Sequence, residues 1–332
     1  MKTTAKWLSG IILVLLTAYL IGPQPEKPEF ETPDFNLPAS LTALEEQIND
    51  SEKSIKGLKP DNEARIVWAD TALKEKTKVA ILYLHGFSAS QAEGEPVHRN
   101  LARKYNCNLY LSRLAEHGID AGDSTMINLT ADDYAASAEK ALEITKKLGD
   151  EVIVIGTSAG GALTLFLASK HPEIKAIVLY SPCVALYDKG ASILDNHWGL
   201  QIGRKIQKGT MMKFERVSEE HANYWAMQYR IEALVALQNL VTNTMKPEVF
   251  EKVKCPVFLA YYYKNEEEQD KTVSIPAMLE MFDQLGTPAE LKQKMPFPET
   301  GAHVIASYIR SKDWQSVERE TDRFLTEVVK LK

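Results

Sequence analysis

Only three cysteines, Cys107, Cys183 and Cys255, occur in 332 residues, and their spacing fits no metal-ligand pattern. They cannot all pair with one another. Cys183 and Cys255 stand beside prolines in apolar runs, which reads as buried free thiols. Excess positive charge is missing too: 45 Asp and Glu face 39 Lys and Arg, a formal net charge of −6. That balance offers nothing to a phosphate backbone and excludes nucleic acid as a partner. Internal repeats are absent, which excludes a solenoid or a collagen-like chain. What remains is ordinary globular usage, 45% hydrophobic and 25% charged. It rules out a disordered chain and a multi-span membrane protein, and the length allows one large domain or two small ones.

The amino terminus departs from that picture. Lys2 and Lys6 precede an uncharged run from Trp7 to Gly22. A short positive region followed by about 7–15 apolar residues is the secretory pattern. The cleavage box is poor, because Leu20 lies two residues before Gly22 and Pro23 follows at once. The run is slightly shorter than the roughly 17–25 residues that span a bilayer. Tyr19 and Trp7 would be its interfacial residues. Residues 1–22 are therefore expected to be a signal anchor or signal peptide. It would tether the folded part outside the cytoplasmic membrane or, if cleaved, leave it secreted or periplasmic. Pro23, Pro25, Pro28, Pro33 and Pro38, interleaved with Glu and Asp, read as an extended stalk. Ser40 ahead of Leu41, Leu44, Ile48 and Ile55 predicts a capped lead-in helix. Stalk and helix together occupy 23–60, and one compact domain is expected over 61–332.

Short apolar runs alternate with helical patterns through that domain. Strands are predicted at 65–69, 79–84, 108–112, 151–155, 176–180 and 257–262. Helices are predicted near 96–104, from Thr130 to about 147 with Gly149 as the stop, over 160–170 and over 317–329. Continuous apolar strands separated by helices imply an α/β architecture, a mostly parallel central sheet covered on both faces. The stretch 185–253 breaks the rhythm with no strand-like run. Its clearest pattern is a helix from Glu219 to Met245, with Trp225, Met227, Ile231, Leu234, Leu237 and Leu240 as an apolar stripe. It reads as a helical cap inserted between late strands.

The strongest chemical signal is Gly156-Thr157-Ser158-Ala159-Gly160-Gly161, directly after the strand 151–155 and opening the helix 160–170. That strand–turn–helix setting makes a G-x-S-x-G match a nucleophile elbow, with small residues where the turn is too tight for side chains. Serine is a poor nucleophile unless a base takes its proton and a carboxylate orients that base. Among seven histidines, His98 and His171 sit in helical settings, and His117, His197 and His221 in loops or the cap; all read most simply as solvent-facing. His303, in Gly301-Ala302-His303-Val304, stands on a glycine-bearing loop before the last helix and is the candidate base. The acid should leave the strand 257–262 at its carboxyl end. Glu266–Glu268 read as a solvated loop, and Asp270 is preferred, with Glu267 next. His85-Gly86-Phe87 closes the strand 79–84, which assigns two oxyanion donors to the backbone N–H groups of Phe87 and Ala159.

These residues resemble the α/β-hydrolase superfamily. The order Ser158, Asp270, His303, the His-Gly-Phe loop and the Gly-Ala-His-Val loop fall where that family has them, across about 64–330. Within it the chain is most similar to the capped lysophospholipase, monoacylglycerol lipase and serine aminopeptidase-like group. It departs from that group's lipases in its His-Gly-Phe-Ser-Ala-Ser loop and in Thr157. The resemblance implies a serine hydrolase of carboxylic esters that works through an acyl-enzyme, with no metal or organic cofactor. The expected substrate is a small-molecule or lipid ester. A basic cap stretch, Arg204, Lys205, Lys208, Lys213 and Arg216 with Met211 and Met212, would suit a bilayer surface. Two rivals stand beside this reading. A serine aminopeptidase-like peptidase would need a cap carboxylate such as Glu215, Glu219 or Glu220 for the substrate amine. A non-catalytic binding protein would keep only the fold.

Overall fold

The computed structural model describes residues 2–332, except for the side chains of residues 2–9 and of Ile11. The expectations for Trp7, Lys2 and Lys6 therefore lie outside the described residues. In chain order the first half carries α1 (Lys2–Leu20), α2 (Leu41–Lys53), β1 (Arg65–Val67), β2 (Thr77–Leu84), α3 (Val97–Lys104), β3 (Asn108–Leu111), α4 (Ala131–Leu148), β4 (Gly149–Thr157), α5 (Ala159–Lys170) and β5 (Ala176–Tyr180). The second half carries α6 (Gly199–Gln207), β6 (Met211–Lys213), α7 (Glu219–Tyr224), β7 (Gln228–Arg230), α8 (Ile231–Thr244), α9 (Pro247–Phe250), β8 (Val257–Tyr261), α10 (Ile275–Gln284), β9 (Lys292–Pro296) and α11 (Trp314–Glu327).

Seven strands form one sheet in the order β1-β3-β2-β4-β5-β8-β9. β1 pairs antiparallel with β3, and every other pairing is parallel. The period of two along β2 shows why its run is apolar throughout. Ala80, Leu82 and Leu84 pack on one face among residues of α4, α5 and α10; Val79, Ile81 and Tyr83 pack on the other among α3 and α11. Thr130 caps α4 by accepting from Asp133 N–H at 3.0 Å, and Ser40 caps α2 in the same way. Glu52 of α2 fastens that lead-in helix to the body, taking Arg113 Nε at 2.6 Å and Ala64 N–H at 3.1 Å.

The cap lies between β5 and β8, as expected, but it is not all helical. The single helix expected from Glu219 to Met245 is two helices, α7 and α8, joined by an extended stretch. At Trp225 the chain turns extended (φ −120°, ψ 145°), and β7 then pairs antiparallel with β6 as a two-stranded ribbon. The backbone groups that would have continued the helix are satisfied across the ribbon. β9 was not foreseen either. As an edge strand with partly exposed residues it shows no apolar alternation.

The apolar amino-terminal run forms α1, with Ile12, Leu13, Val14, Leu15 and Leu16 each more than half exposed. Among the described residues no helix is long and apolar enough to cross a membrane, so the spanning-helix expectation finds no support. Residues 23–40 hold no helix or strand, as five prolines require, and they lie along the body. Trp198 N–H donates to Pro23 O at 2.7 Å and Asn239 Nδ2 to Glu26 O at 3.1 Å, both from the cap. Glu29 and Phe30 N–H groups then reach Asp132 of α4, and the Phe30 ring lies 5.0 Å from that of Phe166 on α5.

Candidate active site

The elbow between β4 and α5 places Ser158 at φ 54°, ψ −118°, a conformation an L-residue holds only when its surroundings force it. The forcing is visible in the backbone. Ser158 N–H donates to Tyr180 O at 2.9 Å, and Ser158 O accepts from Ala162 N–H at 3.1 Å and Cys183 N–H at 2.8 Å. The glycines are sterically required: a side chain at Gly160 would collide with the Leu84 carbonyl, and one at Gly156 with Thr164 and Gly160. Ser158 makes no side-chain cap to the helix it opens, so its hydroxyl is left to the cavity.

Asp270 follows β8 and is 1% exposed. Its Oδ1 accepts from the N–H groups of Thr272 at 2.8 Å and Val273 at 3.2 Å, which leaves Oδ2 for His303 Nδ1 at 2.6 Å. Burial alone would raise this carboxyl, but the His303 charge and hydrogen bond, with the two amides, outweigh it and hold it below its usual range. For His303 burial works downward; the Asp270 charge and hydrogen bond, with help from Glu93, outweigh it and hold the imidazole above its ordinary value. With Nδ1 committed to Asp270, His303 Nε2 is buried without a protein partner among the described residues. Glu267 takes no part: it lies exposed in a turn whose neighbours are occupied, Glu266 with Tyr263 and Glu268 with Lys264.

Gly86 O accepts from Ala89 N–H, closing a tight turn with Phe87 and Ser88 at its centre and Ser88 at φ 63°. Among the described residues, the N–H groups of Phe87 and Ala159 donate to no protein acceptor. His85 braces this turn. Its Nδ1–H donates to Gly86 O at 2.9 Å and its Nε2 accepts from Leu114 N–H at 3.1 Å. Burial pushes that imidazole down to about 4, so the ring is neutral, as its accepting nitrogen requires.

Ser158 and His303 line one cavity of about 290 Å³ at the carboxyl ends of the strands, together with Phe87 and Glu93. The cap supplies its roof through Phe214, Tyr229, Leu234 and Leu237, and Leu186 and Val273 complete an apolar wall. His221, Trp225 and Arg310 also line it, with Arg310 Nη1 3.3 Å from His221 Nε2. A larger open groove of about 660 Å³ lies at the opposite end of the strands, near the amino ends of β2 and β4. It holds neither Ser158 nor His303, and ligands of open α/β sheets bind at the carboxyl ends.

Three histidines read as solvent-facing are in fact buried: His98 and His117 almost completely, His221 at 8% exposure. Each has a packing reason. His98 Nε2–H donates to Gln91 O at 2.9 Å, His117 stacks on Tyr134 with the His85 ring tilted against it, and His221 stacks on Trp225 at 5.0 Å. His221, Arg310 and Glu93 are cavity residues the sequence reading missed. None belongs to a recognisable motif, because their place at the site comes from tertiary contacts alone.

This architecture agrees with the comparisons. The model of the alpha/beta hydrolase fold matches residues 79–305, from β2 through His303. The chain belongs to the α/β-hydrolase family. It is 34% identical over 110 residues to a thermostable monoacylglycerol lipase of Bacillus sp. (strain H-257), which is 33% of this chain. That match spans only 43% of the relative's length. Among solved structures it superposes on a chain from the study of LipS and LipT, two metagenome-derived lipolytic enzymes, with TM-score 0.65 and 17% identity, covering 81% of this chain and 99% of that one. A Paleococcus ferrophilus monoacylglycerol lipase gives TM-score 0.57 at 13% identity, covering 81% of this chain and 100% of that one. Est1E from Butyrivibrio proteoclasticus, with ferulic acid bound, gives 0.54 at 14% identity, covering 81% of this chain and 95% of that one. At such identities these likenesses show the shared fold.

Proposed function

We propose that the protein is a serine hydrolase of carboxylic esters. The observation that carries this reading is the meeting of an aspartate-held imidazole, its Nε2 free, with an elbow serine on one cavity. In this mechanism Ser158 Oγ attacks the acyl carbon while His303 Nε2 takes its proton. Asp270 keeps the ring in the tautomer that accepts at Nε2 and stabilises the imidazolium that forms. Charge on the acyl oxygen is met by the N–H groups of Phe87 and Ala159. The imidazolium returns its proton to the leaving alcohol, and water then repeats the sequence on the acyl-enzyme. Each step uses only this chain's own groups.

At about 290 Å³ the cavity falls just below the roughly 300–1,000 Å³ usual for ligand sites. A mostly apolar lining with a few polar and charged side chains supports a single acyl chain on a small polar alcohol, an acylglycerol or lysolipid, over a bulky triacylglycerol. Similarity to a monoacylglycerol lipase points the same way. Cap carboxylates that the aminopeptidase alternative would use are engaged elsewhere: Glu219 is paired with Arg216 at 2.7 Å and Glu220 accepts from Tyr308. Neither residue, nor Glu215, lines the cavity. The decisive experiment is labelling with a fluorophosphonate probe, alongside hydrolysis of nitrophenyl acyl esters and amino-acid arylamides. Wild type should label and cleave the esters, and Ser158→Ala should do neither. Full ester hydrolysis by S158A, or preference for the arylamides, would overturn the reading.

We further propose that residues 1–22 direct the hydrolase out of the cytoplasm. The exposed apolar side chains of α1 support this, because a membrane or an export route removes them from water. Fractionation of cells expressing the full chain tests it, and recovery wholly in the cytosol would sink it.

A further inference from the structure

Glu93 is a carboxylate in the cavity whose burial the proposed mechanism leaves unexplained. It sits in the turn Gln91–Gly94, is 2% exposed, and lines the cavity beside Ser158 and His303. An isolated buried carboxylate is unfavourable unless hydrogen bonds or charges compensate. The two groups that act on it favourably are the Gly86 N–H, which donates to Oε2, and His303. Burial pushes its carboxyl up to about 7, and these two partners keep it from going higher.

The placement is held from several sides. His98 Nε2–H donates to Gln91 O at 2.9 Å, and Ser307 Oγ, on the loop that carries His303, donates to Ala92 O at 2.8 Å. A Cβ on Gly86 would stand 2.8 Å from Glu93 Oε1 and 2.9 Å from Ser158 Cβ, so the carboxylate and the nucleophile flank one face of that glycine. His85 holds the Gly86 carbonyl while Glu93 holds the Gly86 N–H. The next N–H along the chain is that of Phe87.

We propose that Glu93 is a positioning residue for the hydrolysis: it fixes the Phe87 oxyanion donor through the Gly86 peptide, and its charge favours the imidazolium that His303 forms during attack. The inference rests on the serine-hydrolase reading of the same site. His303 is faced by Asp270, Glu93 and Arg310; Glu93 is faced by His303, by Tyr83 of β2 and by Tyr134 of α4. Cys183 and His221 complete the titratable lining. With Glu93 ionised, the proton that leaves Ser158 arrives between two carboxylates, Asp270 on Nδ1 and Glu93 nearby. Attack is favoured, and the resting ring holds its proton to higher pH.

The test uses the full chain and two variants. Wild type is first labelled with fluorophosphonate and assayed on a nitrophenyl ester; if it neither labels nor hydrolyses, the serine-hydrolase reading falls and takes this inference with it. Given an active wild type, Glu93→Gln keeps an acceptor for the Gly86 N–H but removes the charge. Its kcat/KM acid limb should move to lower pH by a few tenths of a unit or more. Glu93→Ala removes both effects, and kcat should fall roughly 10–100-fold with KM within about twofold. A Glu93→Gln profile superimposable on wild type, or shifted upward, overturns the electrostatic role. Wild-type kcat in Glu93→Ala overturns the positioning role. Should Glu93→Ala fail to fold by circular dichroism, Glu93→Met, which fills the space without accepting from the Gly86 N–H, takes its place and is read by the same kcat criterion.

Discussion

Two oxygens of Asp270 divide the work at the centre of the site. Oδ1 is tied to the chain by two amides, and Oδ2 is offered to His303. Asp270→Asn keeps the shape but leaves Nδ1–H without its anion and favours the wrong tautomer, so kcat/KM on esters should drop about 10³–10⁴-fold. The pH dependence follows from the directions of the shifts. In the proposed mechanism His303 must be neutral to accept the Ser158 proton, and its pKa stands above the ordinary 6.5. The acid limb of wild-type kcat/KM should therefore lie above pH 6.5, and a pH–rate profile checks this. Stability runs the other way. A raised imidazole stabilises the fold fully below its unfolded value of 6.5 and loses that contribution as pH rises through the folded value. The depressed Asp270 contributes above 3.8 and is lost as pH falls through its own folded value. The protonation state that best holds the pair together is the one that cannot take a proton from serine.

Among the elements, α4 illustrates a cap that can be weighed alone. Thr130 accepts from Asp133 N–H at 3.0 Å and returns a 2.7 Å bond to its carboxylate. Thr130→Ala should cost about 1 kcal/mol in urea unfolding with ester hydrolysis unchanged. Such caps were legible in the sequence because they depend on neighbours three residues apart. The elbow was legible for the same reason, since strand, turn and helix are consecutive around Ser158. Asp270 and His303 could be placed because each follows a recognisable element, β8 and a glycine-bearing loop. What could not be read is what depends on distant partners. The break between α7 and α8 comes from pairing with β6, the polarity of β9 from its edge position, and the burial of Glu93, His98 and His221 from packing across the fold. Composition implied a stalk beginning at Pro23 and gave no sign that residues 23–30 lie against the cap, α4 and α5.

Over the whole molecule, that segment is the link between parts far apart in the chain. It touches the cap at Trp198 and Asn239, then α4 at Asp132 and α5 at Phe166. Removing residues 1–40 exposes Phe166 and leaves Asp132 without two donors. The melting temperature should fall by several degrees, measured by calorimetry, while removal of 1–22 alone should lower it less. The order of these contacts has a mechanical meaning. Leaving α1, the chain meets the His197–Trp198 turn first, where Gly22 O accepts from His197 Nδ1 at 2.8 Å, and reaches the helices beside the sheet only later. A pull on the amino terminus is thus borne first by the cap, the part of the chain that also supplies the roof of the cavity, and only then by the sheet.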